Sequence, residues 1–222
     1  MNTTTRPHFT PKAKIRLAAI TALLTWVGLA LDLYGFIHRA EMQQLGVLHG
    51  VATFFNYFTN LSNLLAAITI SMWVKHASSP HADDVEYPDY LDITSVVAYV
   101  WLAGIVYNLM LRGFMHANWP ATIILHDLVP LLFLIFWWSC IPRLRFTLKR
   151  VLSWLLFPIV YFIYTLIRGA MGGRYPYPFL DVSKFGYAAI VENALGIMVA
   201  LLVLSMVLVV LNSYKSNNNQ IK

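Results

Sequence analysis

Apolar residues gather into six runs along the chain, at Ile15 to Ile37, Ala52 to Val74, Ile93 to Met115, Thr122 to Ile141, Val151 to Met171 and Tyr187 to Leu211. Each is long enough for an α-helix to cross a hydrocarbon core about 30 Å thick, which takes roughly 20 residues. The connections HASSPHADDVEYPDY, MHANWP, PRLRFTLKR and GGRYPYPFLD concentrate proline, glycine and charge, which end regular structure. The pattern predicts an all-α polytopic membrane protein, a single bundle of six transmembrane helices over 1–222 with a flexible tail over 212–222. No internal repeat is visible, and the first run lacks a signal-peptide cleavage pattern, so it is expected to stay as a span.

The second run breaks the apolar rule. It reads NYFTNLSNLLAA from Asn56 to Ala67, with Asn56, Thr59, Asn60, Ser62 and Asn63 where a lipid-facing helix would be hydrocarbon. At about 100° per residue, Asn56, Thr59, Asn60 and Asn63 fall on one third of the circumference with Ser62 at its edge. Such a stripe is expected to face other helices. Small polar residues join membrane helices by hydrogen bonds of about 0.6 to 2 kcal/mol, and that packing role stands beside a functional one.

Composition changes the picture little. Hydrophobic residues make up 59% and charged residues 12% of the 222, against about 25% charged in a soluble domain. One cysteine, Cys140, excludes a disulfide framework and a cysteine metal cluster. The net charge of +6 belongs to segments flanking the apolar runs, where it sets membrane orientation, and no nucleic-acid partner is expected. Arg6, Lys12, Lys14, Arg16, Lys75, Arg143, Arg145, Lys149, Arg150, Lys215 and Lys222 fall on one side, against Arg39, Arg112, Arg168, Arg174 and Lys184 on the other. By the positive-inside rule both termini are expected in the cytoplasm.

Depth then groups the polar residues. At 1.5 Å per residue Thr59 lies about 10 Å below the extracytoplasmic end of its span, and His126 lies about 8 Å below that of the fourth. Asp32, Asn108, Arg112, Arg168, Glu192 and Asn193 fall near the same level. Ionisable groups inside spans face the interior or a water-filled cavity by default. Asp32, Arg112, Arg168 and Glu192 are therefore expected as charges of an outward-facing chamber, with structural ion pairing as the alternative. The loop RYPYPFLD is expected to act as its lip. His38, His49 and His116 show no HExxH-type spacing, so no metal site is expected. Bis-histidine haem would need facing histidines deep in the spans, where only His126 qualifies. No cofactor is expected.

FNYFTNLSNLLAA, then ILHDLVPLLFLIFWW, then FPIVYFIYTLIRGAMGGRYPYPFLDV and GYAAIVENALGI together resemble the bacterial six-span relatives of the androgen-induced integral membrane proteins. Eukaryotic members of that wider family are intramembrane threonine hydrolases that cleave fatty acid esters of hydroxy fatty acids. The resemblance implies Thr59, within YFTNLSN, as nucleophile and His126, within LHDLVP, as its partner. It also implies a multi-pass protein of the bacterial inner membrane with a fatty acyl ester substrate and membrane lipid as its surroundings.

The chemistry of the two residues agrees with that implication. A threonine hydroxyl attacks poorly until a base accepts its proton, and histidine is the side chain suited to do so near neutral pH. An oxyanion needs donors, for which Asn56, Ser62, Asn63 and Asn108 are candidates. Asp127 is not expected to orient His126, since adjacent helical residues point about 100° apart. A small-solute transporter or channel and a non-catalytic lipid-binding scaffold remain open. The first would be expected to show repeats and broken helices near the midplane, and the second would make Thr59 and His126 packing residues.

Overall fold

The computed structural model describes residues 11–79, 92–113, 119–172 and 174–215, and all regular structure among them is helical. In chain order the helices are α1 (Pro11–Met42), α2 (Val47–Phe54), α3 (Phe58–Ala77), α4 (Ile93–Val106), α5 (Pro120–Ile123), α6 (Val129–Cys140), α7 (Leu148–Ser153), α8 (Leu156–Ala170) and α9 (Val182–Ser213). A π-helical turn, Tyr107–Leu111, continues α4, and a second, Ile124–Leu128, joins α5 to α6.

Five stretches are long and apolar enough to cross a membrane: Lys12–Met42, Ile93–Leu111, Pro120–Cys140, Leu148–Ala170 and Val182–Ser213. α3 is not among them, because the polar stripe dilutes it. It is nonetheless 20 residues long, about 30 Å at helical rise, and buries Thr59, Asn60, Ser62, Asn63 and Thr69 among its neighbours. The apolar run expected as one span from Ala52 to Val74 is broken at Phe55–Tyr57, where Tyr57 is extended at φ −96° and ψ 128°. The break is held by side chains of the stripe itself and of α8: the Asn60 amide donates to the Phe54 carbonyl at 3.0 Å, and Tyr161 donates to the Asn56 carbonyl at 2.9 Å.

α4 lies at the centre, packed on α3, α6 and α9, and from Ile93 to Gly104 all but Trp101 are buried. A helix that is apolar all round belongs in such a position. α1 packs on α2, α3 and α6. Leu23, Leu156, Leu195, Val199 and Val203 leave most of their surface outside the bundle, the pattern of hydrocarbon-facing positions. In α9, Gly186 at φ 74° and ψ 164° interrupts the helix, so that the long apolar segment begins at Tyr187. A positive φ of this kind suits a residue without a Cβ.

One end of the bundle is closed by a polar network that the apolar pattern does not announce. Asp92 caps α4 through Thr94 N–H and also accepts from Arg150 Nε at 2.7 Å and Trp154 Nε1 at 2.8 Å. Asn212 exchanges hydrogen bonds with the Leu144 backbone. Lys215 is 4% exposed, donates to the carbonyls of Trp137 and Ile141 at 2.9 and 3.2 Å, and places its ammonium over the Trp137 ring. Of the expected tail, Asn212 and Lys215 are held against Leu144 and the end of α6, while Ser213 and Tyr214 are exposed; 216–222 lie outside the described residues.

Burial pushes the Lys215 ammonium down to about 7 from its ordinary 10.5. Between those values the unfolded chain binds the proton and the folded chain does not, so stability rises with pH over the lower part of that window. Raising the pH from 7 to 8.5 is expected to add on the order of 1 kcal/mol. The apparent melting temperature of detergent-purified protein should rise across that step, and Lys215→Met should flatten the rise.

Candidate functional site

Three adjoining cavities, each sharing wall residues with the next, occupy the opposite end of the bundle. The middle one is a polar chamber of about 220 Å³. It is walled by Asp32, Phe36 and Arg39 of α1, by Tyr57, Thr59 and Asn60 at the start of α3, and by Tyr107, Leu111, Trp119, Thr122, His126 and Tyr177. On one side lies an apolar cavity of about 60 Å³ between α4, α8 and α9, lined by Phe58, Leu102, Val106, Pro158, Phe162, Ile197 and Met198 among others. Thr59, Leu111 and Tyr177 belong to both walls. On the other side an outer cavity of about 340 Å³ shares Phe36, Arg39 and Tyr57 with the chamber.

Thr59 occupies the first turn of α3, just after the break, where helix N–H groups have no carbonyl above them and the dipole is positive. Its N–H donates to the Tyr177 hydroxyl at 3.5 Å, and its side chain also interacts with that hydroxyl. Its carbonyl accepts from Ser62 Oγ at 3.0 Å and Asn63 Nδ2 at 2.8 Å. Asn63 Nδ2 also reaches the Leu125 carbonyl at 3.4 Å, which ties the Thr59 turn to the π turn carrying His126. Tyr177 lies in the loop before α9, and burial pushes its phenol up to about 12, so it stays a neutral donor.

His126 is set by its backbone. Pro130, four residues on, has no N–H to bond the His126 carbonyl, and its ring crowds that position, which favours the widened π turn over a regular one. π turns of this kind recur at functional sites. The ring Nδ1 lies 3.0 Å from the Thr122 carbonyl; a carbonyl only accepts, so Nδ1 carries the hydrogen and Nε2 keeps its lone pair. Tyr107 lies against the ring at a centroid distance of 4.0 Å. Tyr107 stands in the other π turn, and the Gly104 carbonyl just before it accepts from the Tyr107 N–H and from Asn108 Nδ2 at 2.9 Å. Thr59 and His126 thus line one chamber, with no direct hydrogen bond joining them among the described residues.

The sequence-predicted site residues separate on this geometry. Asp32 lies in the chamber, interacting with the Asn60 amide and the charge of Arg39. Asn56 and Arg168 line the outer cavity. Ser62 and Asn63 are turned toward backbone carbonyls and brace α3 from within. Arg112 is not a chamber charge: it forms a two-pronged pair with Asp127 at 2.6 and 2.7 Å, with Asn108 bonded to both, on the outer faces of the two π turns. Glu192 is exposed on α9 and outside all three cavities, and the neighbouring Asn193 caps the Phe179 carbonyl. Helical depth alone placed these groups at one level but not at one azimuth.

Sequence reasoning missed Tyr177, Tyr107, Trp119 and Arg39, and it placed Asn60 in the polar stripe without naming it as a chamber residue. The RYPYPFLD loop was expected as a lip, and it does furnish walls, but Tyr177 is also the residue that touches Thr59. Buried in the chamber wall, the Tyr107 hydroxyl and the Trp119 indole N–H have no hydrogen-bond partner among the described residues, which leaves two donors for a ligand. Among the described residues no group of three His, Cys, Asp or Glu side chains is arranged to hold a metal ion; His116 lies outside them.

A Cβ at Gly104 would stand 2.7 Å from the His126 carbonyl oxygen, so α4 and the π turn carrying His126 approach this closely only because this residue has no side chain. Gly104→Ala is expected to cost about 1 to 3 kcal/mol through overpacking and to lower the melting temperature. Gly113→Ala, with nothing within 4 Å of its Cβ position, should leave the melting temperature close to wild type. Comparisons of the chain with protein-family models, with curated proteins and with solved structures give no match.

Proposed function

We propose that this protein is a six-span intramembrane hydrolase of lipid-like acyl esters, with Thr59 as nucleophile and His126 as general base. The observation that carries the reading is the position of Thr59 on the wall between a polar chamber holding His126 and an apolar cavity. An ester bond needs that juxtaposition: its acyl chain belongs in apolar surroundings, while its carbonyl must meet polar groups. The resemblance of YFTNLSN and LHDLVP to the bacterial six-span relatives of a family whose eukaryotic members are threonine hydrolases points to the same pair.

In this reading His126 Nε2 accepts the Thr59 proton as Oγ attacks the ester carbonyl. The oxyanion meets donors at the start of α3, from Thr59 N–H and the Tyr177 hydroxyl, with Tyr107 and Trp119 across the chamber. The intermediate collapses as the proton passes from Nε2 to the leaving alkoxide, leaving an acyl-threonine. Water then attacks the acyl-threonine with the same base, releasing the carboxylic acid and restoring Thr59. The Thr122 carbonyl holds the His126 tautomer in which Nε2 is free, a task that a carboxylate performs in the serine triads.

The tests are direct. A fluorophosphonate probe should label the purified protein and fail to label Thr59→Ala. On a panel of medium and long-chain acyl esters, Thr59→Ala and His126→Ala should each lose at least about a thousandfold in kcat, with the double variant little worse. Thr59→Ser should keep measurable turnover, and Tyr177→Phe should lose about a hundredfold. Turnover by folded wild type no faster than by Thr59→Ala would end the hydrolase reading in favour of transport.

The distribution of lysine and arginine supports both termini in the cytoplasm of a cell-membrane protein, with α3 as the sixth crossing. Cysteines introduced at Arg39 and Arg174 should react with an impermeant thiol reagent added outside intact cells, and one at Ser213 should not.

A further inference from the structure

The outer cavity carries a charge that the ester chemistry does not use. Arg39, Arg168, Arg174 and His49 line it, together with Asn56 and Tyr175, and no carboxylate does. The Arg168 guanidinium spends one donor on the Ala52 carbonyl at 2.7 Å. Arg39 packs its guanidinium over the Phe36 ring, and its charge acts on Asp32 in the adjoining chamber. The Arg174 side chain has neither hydrogen bond nor ion pair among the described residues. Arg39 and Arg168 stand in the last turns of α1 and α8, where a cation suits the helix dipole. Arg174 stands in a loop, with no such helix end beneath it.

We propose that this cavity is a vestibule for the phosphate of a glycerophospholipid-type ester, and that the chamber receives the ester bond of the same molecule. The proposal rests on the hydrolase reading and names its substrate class. Three guanidinium groups around one cavity offer more donors than a lone carboxylate accepts, whereas phosphate presents several acceptor oxygens to arginine forks. The spacing fits too. Asn56 lines the vestibule and Thr59 the chamber, and three residues of chain separate them by at most about 10 Å, a span that a glycerol unit bridges between a phosphate and an acyl ester. The order of compartments, apolar cavity, ester chamber and basic vestibule, is the order of parts in such a lipid.

The test uses detergent-purified full-length protein and two substrates with identical acyl chains, one a diacyl glycerophosphate and one an uncharged glyceride. Wild type should prefer the phosphate-bearing ester, and the ratio of the two kcat/KM values should fall about tenfold or more in Arg174→Gln and further in Arg168→Gln/Arg174→Gln, the scale of a lost charge-assisted hydrogen bond. An unchanged ratio in these variants would overturn the proposal. Binding is read separately by thermal shift, so a failed hydrolase reading is distinguishable. Dihexanoyl glycerophosphate should raise the melting temperature of Thr59→Ala, and adding Arg174→Gln should reduce that rise. No rise would overturn the vestibule even if the fluorophosphonate labels Thr59. An equal rise with inorganic phosphate alone would overturn the lipid assignment in favour of a free phosphate ion.

Discussion

Inside a bundle wrapped by hydrocarbon, any backbone carbonyl or amide released from its helix must find a partner within the protein, because water is not there to supply one. The end of the bundle that holds the cavities has three such releases: the break at Phe55–Tyr57 and the two π turns. Side chains bond carbonyls at each: Asn60 meets the Phe54 carbonyl and Tyr161 that of Asn56 at the break, Asn63 reaches that of Leu125 in the second π turn, and Asn108 that of Gly104 just before the first. Within the polar stripe of the second apolar run, Asn60 and Asn63 thus bond carbonyls at the irregularities, Ser62 bonds the Thr59 carbonyl, and Thr59 stands at an open helix start beside a cavity.

The same division explains what the amino-acid pattern revealed. Hydrophobic runs report where a chain is apolar, and five of the six correspond to helices of crossing length and composition, with ends close to those expected. The sixth lost its continuity because Asn56 and Asn60 sustain a break that hydropathy does not register. Tyr177 was expected only as part of the lip loop RYPYPFLD, since nothing local marks a loop that folds inward over Thr59. Arg112 and Glu192 shared a depth with Thr59, yet depth is one coordinate of three. Pro130 was the available clue to the widened turn at His126, visible as a proline inside an apolar run, and its link to Gly104 needed the packing of α4 against α6.

Electrostatics depend on this placement. Arg112, Asp127 and Asn108 neutralise one another on the outer faces of the π turns, so they leave the chamber's field to Asp32 and Arg39. The closed end satisfies its charges the same way, with Asp92 holding Arg150 and the buried Lys215 set on carbonyls at the end of α6. Of the three cavities, the outer one has guanidinium groups in its wall and no acid among its described lining residues.

A π turn holds one residue more than an α turn of the same helix requires. Removing a single residue from Ile124–Leu128 would bring α5 and α6 into one helical register, bent at Pro130, at no evident loss of apolar packing on the lipid side. It would also turn everything before the deletion by about 100° relative to α6, carrying Trp119 and Thr122 out of the chamber wall and separating the Thr122 carbonyl from the His126 ring. The length of this helix is thus part of the chamber's wall, and a shortened chain could keep its hydrophobicity and its crossing while having no chamber at all.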